Sequence, residues 1–157
     1  MKNTLANIAS EKNNHCVTIS LNTHRTHPDN IPDVIQLKKL LNEAEERVIA
    51  EFGKRPVKEL LGKIETVVNE IDSNYNLDSL HIFLSNDTNE IIKSPWPIQE
   101  NTVHISGTFS IKPLIKQFNR TENYLILLLS QSRVKLLHAI NDVSDVELNL
   151  FELSLLS

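Results

Sequence analysis

The first half of the chain combines one β-strand pattern with two helix patterns. Residues 16–22 alternate apolar and polar side chains, which predicts a strand with one buried face. The alternating positions are Val17, Ile19 and Leu21 against Thr18, Ser20 and Asn22. The polar segment that precedes this strand, residues 1–15, predicts a short helix or a loose arm.

Two amphipathic helices are predicted after this strand. Apolar residues recur at helical spacing over residues 32–52, and Gly53 is a suitable helix end. A second helical pattern covers residues 56–71. Because only a few residues separate the two patterns, they predict a helical hairpin. Its tip, residues 53–56, reads Gly-Lys-Arg-Pro.

Strand patterns dominate the second half. They cover residues 80–84, 90–93, 102–105, 124–129, 133–137 and 146–150, with a helix predicted over 110–118. The run 124–129 is apolar without interruption, which predicts a strand covered on both faces. Residues 148–156 are also mostly apolar, so this edge either packs on its own domain or belongs to a neighbouring one. It is also a candidate contact for a homo-oligomer.

These elements predict an α/β protein of the α+β layer type. We expect a mixed or antiparallel sheet of about four to six strands, with a long helical hairpin and a shorter helix packed on it. Residues 1–15 form the arm or short helix, and residues 16–122 form the α/β domain. Residues 123–157 form a β-hairpin and a strand, which we interpret as a candidate start of a truncated second domain.

Composition excludes some classes of function. The chain has three glycines, Gly53, Gly62 and Gly107, which are too far apart to build a phosphate-binding loop. We therefore expect no nucleotide cofactor, and no other cofactor is indicated. The single cysteine, Cys16, cannot form an intrachain disulfide, which favours a reducing compartment.

Hydropathy and charge restrict the cellular compartment and the partners that we expect. No segment reaches the roughly 18 apolar residues of a membrane span, and the N-terminal residues lack the apolar core of a signal peptide. We therefore expect a cytoplasmic protein with no membrane partner. A net charge of −4 argues against broad nonspecific binding to nucleic acid, although it leaves room for a local basic patch.

The loop after the first strand is a candidate site. It carries His24, Arg25 and His27, which could bind an anion such as a phosphate. Imidazoles with Asp29 could also ligate a metal ion, but the other histidines show no diagnostic spacing, so no metal site is assigned. In the structural alternative, Arg25 pairs with an acid on the following helix while His24 binds the loop backbone.

Positive charge at the hairpin is the strongest candidate for nucleic-acid binding. Lys54, Arg55 and Lys58 lie at or just after the tip, with Lys63 as an additional candidate. Phosphate contacts require local cations rather than a high overall charge. The alternative is an ordinary exposed helix end, whose field is weakened by neighbouring glutamates.

Trp96 is a candidate partner-binding residue. It lies between Pro95 and Pro97, and a stiff aromatic loop of this kind could stack on a base or dock a partner. The alternative is that the indole covers the edge of its own core.

Four segments resemble the N-terminal region of the bacterial archaeo-eukaryotic release factor family, relatives of the class-one peptide chain release factors. They are the strand and loop over 17–25, the charged helix over 37–47, the strand over 80–85, and residues 109–114 with 128–134. Together they extend over about residues 14–150. A proline is common in that family where this chain has Asn22.

The resemblance implies an α/β first domain that works in translation. In these release factors a hairpin tip with Asn-Ile-Lys-Ser inspects the stop codon. A separate domain with Gly-Gly-Gln directs water onto the peptidyl-tRNA ester. This chain has no adjacent glycines, and its tip lacks the codon-reading motif. The similar residues 91–94 (Ile-Ile-Lys-Ser) fall in a later hairpin, so we interpret them as a coincidence.

Three hypotheses of function remain from the sequence. The first is a non-catalytic N-terminal domain of a release-factor-like protein, which associates with the ribosome, with tRNA or with companion domains. The second is a protein–protein interaction module without nucleic-acid contact, suggested by the acidic charge and the apolar C-terminal edge. The third is a small hydrolase that uses His24 and His27.

Overall fold

A computed structural model describes residues 2–118, 123–130, 134–140 and 143–148. The chain divides into two compact units, Met1–Ile115 and Lys116–Ser157. The helices are α1 (Lys2–Ser10), α2 (Ile31–Phe52), α3 (Lys58–Glu70) and α4 (Lys112–Phe118), with a short 3₁₀ turn over Ser73–Tyr75. The strands are β1 (Lys12–Asn22), β2 (Ser79–Leu84), β3 (Asn89–Ser94), β4 (Thr102–Thr108), β5 (Asn123–Leu129), β6 (Val134–Ile140) and β7 (Val143–Leu148).

The sheet of the first unit has the order β3-β2-β1-β4, and all of its pairs are antiparallel. The α+β class and the antiparallel sheet confirm the prediction from the hydrophobic pattern. Strand β1 is one of the two inner strands, and it is apolar on one face and small or polar on the other. Its Ser20 lies opposite His81 of β2.

One face of this sheet packs against the helical hairpin. Val17, Ile19 and Leu21 of β1 form a buried cluster with apolar residues of β2, α2 and α3. The helix residues in this cluster are Leu37, Leu40, Leu41, Ala44, Val48, Leu60, Ile64 and Val67, which recur at helical spacing. Burial of each large aliphatic side chain contributes about 1.5–3 kcal/mol, so this cluster fixes the hairpin on the sheet.

The opposite face of the sheet is buried as well, but it is more polar. Side chains alternate along a strand, so Thr18 and Ser20 point away from the helical hairpin. The segment before α4 contacts Thr18, where the Ser110 amide donates to Thr18 Oγ1 at 3.0 Å. The ring of Phe109 meets Phe83 edge-on, with centroids 5.5 Å apart.

The structure corrects the predicted start of β1. The strand begins at Lys12 rather than at residue 16, after helix α1, which the sequence predicted as a short helix or arm. Residues 12–15 (Lys-Asn-Asn-His) carry no apolar alternation. They join the sheet through pairing with β4, where the register shifts between Lys12 and Cys16. Backbone pairing of this kind leaves no hydrophobic signal in the sequence.

The second unit contains a three-stranded antiparallel sheet of order β5-β6-β7. The prediction that the apolar run 124–129 is covered on both faces is wrong for the described part of the chain. Leu125, Leu127, Leu128 and Leu129 are 48–71% exposed. The predicted turn at 131–132 and the apolar residues 149–156 lie outside the described residues. None of the described helices is long and apolar enough to cross a membrane.

Candidate nucleic-acid interface

The hairpin tip presents three cations to solvent. Lys54, Arg55 and Lys58 are all exposed, and none forms a hydrogen bond or ion pair with another residue that the structure describes. Gly53 lets the chain leave α2, because its φ of +74° is a conformation that favours glycine. Its amide still donates to the Ile49 carbonyl at 2.9 Å, which satisfies one of the last carbonyls of α2.

The turn between β2 and β3 anchors this tip from the sheet side. Asn86 Nδ2 donates to the Pro56 carbonyl at 3.1 Å, and Asn86 Oδ1 accepts from the Leu60 amide at 3.2 Å. Helix α3 needs this cap because the residue that precedes it, Val57, has no side-chain acceptor. Asn86 therefore fixes the start of α3 and, with it, the positions of the tip cations.

Lys63 does not belong to the tip cations. Its Nζ donates to the carbonyls of Ser85, Asn86 and Thr88 at 3.0, 2.7 and 3.3 Å. The carboxylate of Glu11 accepts from the hydroxyls of Ser85 and Thr88 on the same turn. Lys63 thus holds the β2–β3 turn against α3, and its charge is not available to an external phosphate.

The local charge at the tip is weakly positive. Over residues 51–59, the three cations face two exposed glutamates, Glu51 and Glu59, so this segment carries a net +1. The whole chain carries −4. An anionic polymer therefore meets attraction at the tip and net repulsion from the chain as a whole.

The loop after β1 is organised by two carboxylates. Asp33 of α2 accepts from the His24 amide at 2.7 Å and pairs with His24 Nδ1 at 2.8 Å. Arg25 forms a two-point contact with Asp78, at 2.9 Å from Nε and 2.8 Å from Nη2. The structural alternative paired Arg25 with an acid on the following helix. In the structure His24 forms that pair, and Arg25 pairs with Asp78 instead. Of the three candidate anion ligands, His24 and Arg25 already have a carboxylate partner.

The pair between His24 and Asp33 makes a prediction about pH. The hydrogen bond that His24 donates to the Asp33 carboxylate raises the pKa of His24 above 6.5, and desolvation opposes this only in part. A raised folded-state pKa means that the pair stabilises the fold at acidic pH, and that this contribution is lost as the pH rises through the folded pKa. We expect His24→Gln to lower stability more at about pH 5.5 than at about pH 8.5, with a small difference since the ring is exposed.

An NMR titration of the His24 ring protons measures the same effect directly. The midpoint should lie above 6.5 in the wild type and move down in Asp33→Asn. A midpoint that stays the same in both proteins would contradict the assigned cause.

His27 and Asp29 do not join a site with their neighbours. Both are exposed. Among the residues that the structure describes, no group of three or more His, Cys, Asp or Glu side chains could hold a metal ion. The described contacts of the His24 ring go to Asp33, so no nucleophile accompanies it.

Trp96 is half-buried in a loop that the sheet holds firmly. Its carbonyl accepts from Ser79 Oγ at 2.7 Å. Asn22 exchanges two hydrogen bonds with the backbone of Ile98, at 2.9 and 2.8 Å, and its amide donates to Asn101 at 2.8 Å. A proline at position 22 would lack both the amide and the side chain, so Asn22 gives this chain a loop anchor of its own.

Sequence reasoning missed a buried polar chain on the second face of the sheet. His81 is fully buried, with Nδ1 2.9 Å from Ser20 Oγ and Nε2 3.2 Å from Ser79 Oγ. Because Ser79 donates its proton to the Trp96 carbonyl, it accepts from His81 Nε2–H, and Nδ1 then accepts from Ser20. The strand alternation placed Ser20 on this face, but only the register with β2 identifies its partner.

Comparison with known proteins informs the fold alone. No protein-family model and no curated protein sequence matches this chain. A solved structure described as an archaeal protein matches 88% of this chain with a TM-score of 0.56 at 11% sequence identity. The chain spans 40% of that structure's length. At this level of identity, the two proteins share an arrangement of helices and strands.

Proposed function

We propose that the Met1–Ile115 unit is a non-catalytic docking domain of a release-factor-like translation protein, which contacts ribosomal RNA or tRNA through the hairpin tip. The single observation that carries the proposal is the set of three exposed cations, Lys54, Arg55 and Lys58, with no carboxylate partner among the described residues. An unpaired surface cation gives up only water when it meets a phosphate. A paired cation such as Arg25 must first lose its carboxylate.

Rigid support makes these cations more effective. Asn86 and Lys63 attach the start of α3 to the β2–β3 turn, so the tip loses little conformational entropy on binding. The net −4 of the whole chain opposes other contacts with RNA. We therefore expect the domain to meet RNA with the hairpin tip foremost. Phosphate contacts at the tip would then position the domain and supply most of the affinity.

Two features favour a docking role over a catalytic one. The His24 ring pairs with a carboxylate, and its described contacts include no nucleophile. The Ser20–His81 pair has a hydroxyl and an imidazole in contact, but Ser20 is 2% exposed and His81 0%. A substrate cannot reach an oxygen that is sealed in this way. As a partner of the translation machinery, the protein would work in the cytoplasm.

Cosedimentation with ribosomes and anisotropy titration of labelled tRNA test the proposal. We expect saturable binding to at least one of the two at low salt, which weakens steeply as salt is added. A tRNA-sized DNA duplex serves as the control for a purely ionic contact. Absence of binding to ribosomes and to tRNA at low salt would contradict the proposed function.

A protein–protein interaction module is the second candidate function. The specific observation in its favour is the exposure of four leucines of β5 in the Lys116–Ser157 unit. Unlike the first candidate, this function involves no nucleic-acid contact, so RNA binding at the tip distinguishes the two.

A further inference from the structure

Strand β5 is an uncharged edge strand. It lies at one end of the order β5-β6-β7 and pairs with β6 alone among the described strands. Its sequence, Asn-Tyr-Leu-Ile-Leu-Leu-Leu, contains no charged residue and no proline. The β5–β6 register runs without interruption, so β5 has no bulge. Natural sheets usually protect an edge by a charge, a proline or a bulge, and β5 has none of them.

Both faces of β5 expose apolar side chains. Leu125, Leu127 and Leu129 share one face by strand alternation and are 60, 55 and 71% exposed. Leu128 lies on the other face and is 48% exposed. An open strand edge with apolar side chains above and below it is the geometry in which a further strand gains both backbone hydrogen bonds and side-chain burial.

We propose that β5 pairs antiparallel with β5 of a second copy of this chain, joining two three-stranded sheets into one. A two-fold axis at Ile126 would place Leu125 opposite Leu127 of the second copy, and Asn123 opposite Leu129. Every such pair is uncharged, so no like charges meet across the axis. A two-fold contact must be self-complementary, and a neutral strand fulfils this condition in full.

The opposite edge of the same sheet explains why the assembly should stop at two copies. Strand β7 contains Asp145 and Glu147, and its pairing with β6 shifts register between His138 and Ala139. Carboxylates and a bulge are the features that discourage edge pairing. Once the two β5 edges have been joined, β7 is the outer strand on each side among the strands that the structure describes.

Mass measurement tests this pairing. Light scattering coupled to size exclusion should give twice 17.9 kDa for the wild type and 17.9 kDa for Leu127→Lys, which places a charge at the edge. The matched control is Ile35→Lys: Ile35 of α2 is 69% exposed and lies in the other unit, so this variant should keep the doubled mass. Circular dichroism checks that each variant is folded.

Three results would overturn the proposal. They are a wild type of 17.9 kDa at every concentration, a Leu127→Lys variant that keeps the doubled mass, and open-ended assemblies in place of a two-chain particle. Cysteine cross-linking gives a second measurement. The stated axis places Ile126 opposite Ile126 of the second copy, so Ile126→Cys should form a disulfide-linked pair, since directly opposed positions bring Cβ atoms close. The native Cys16 is buried and does not interfere, and Ile35→Cys should remain unlinked.

Discussion

Replacing His81 by alanine should lower the free energy of unfolding of the Met1–Ile115 unit by about 3 kcal/mol. The imidazole is fully buried and accepts from Ser20 while donating to Ser79. Its removal leaves the Ser20 hydroxyl without its acceptor and opens a cavity at a fully buried position. Both effects destabilise, because neither hydroxyl reaches water.

Urea denaturation followed by circular dichroism measures this effect. His104→Ala is the matched control, since His104 lies on β4 of the same sheet but is exposed. We expect the midpoint of His104→Ala to stay close to that of the wild type. Equal midpoints for His81→Ala and His104→Ala would show that the buried polar chain does not contribute to stability.

Charge reversal at the tip should have the largest effect on function. The double change Lys54→Glu and Arg55→Glu is expected to weaken binding to ribosomes or tRNA at least about tenfold, because it removes two phosphate contacts and adds repulsion. Both side chains are exposed and make no described contact, so the fold should not change.

The double change Lys38→Glu and Lys39→Glu is its matched control. These two lysines are exposed on α2, and their reversal alters the net charge by the same amount. We expect it to reduce affinity far less. Equal losses in the two variants would mean that RNA responds to the overall charge, and the tip would lose its assigned role.

The hairpin and its sheet could be predicted from the sequence because their signals are local. Apolar residues recur every three or four positions in α2 and α3, and they alternate in β1. Lys12 to Cys16 shows the limit of such signals, since this part of β1 is held by pairing with β4 rather than by an apolar face.

Partners that are distant in sequence could not be predicted. The sequence indicated that Arg25 would need an acid, but Asp78 lies 53 residues away and comes into reach only through the β1–β2 pairing. For Lys63, by contrast, the sequence indicated no partner at all. Its spacing on α3 suggested a solvent-facing cation, whereas the β2–β3 turn folds over it and presents three carbonyls.

The apolar run in β5 shows that composition does not determine burial. An uninterrupted run of this kind is typical of a strand between two layers, yet four of its leucines are exposed. The apolar sequence of β5 indicates that the strand needs to be covered, but it does not identify the segment or partner that covers it. The proposed pairing with a second copy would satisfy that need.

The salt dependence of RNA binding tests the central claim most directly. The logarithm of the binding constant is plotted against the logarithm of salt concentration for the wild type and for the Lys54→Glu, Arg55→Glu variant. If both residues contact phosphates, the slope of the variant should be shallower by about 1.5–2. Identical slopes for the two proteins would contradict the claim that the hairpin tip is the RNA contact.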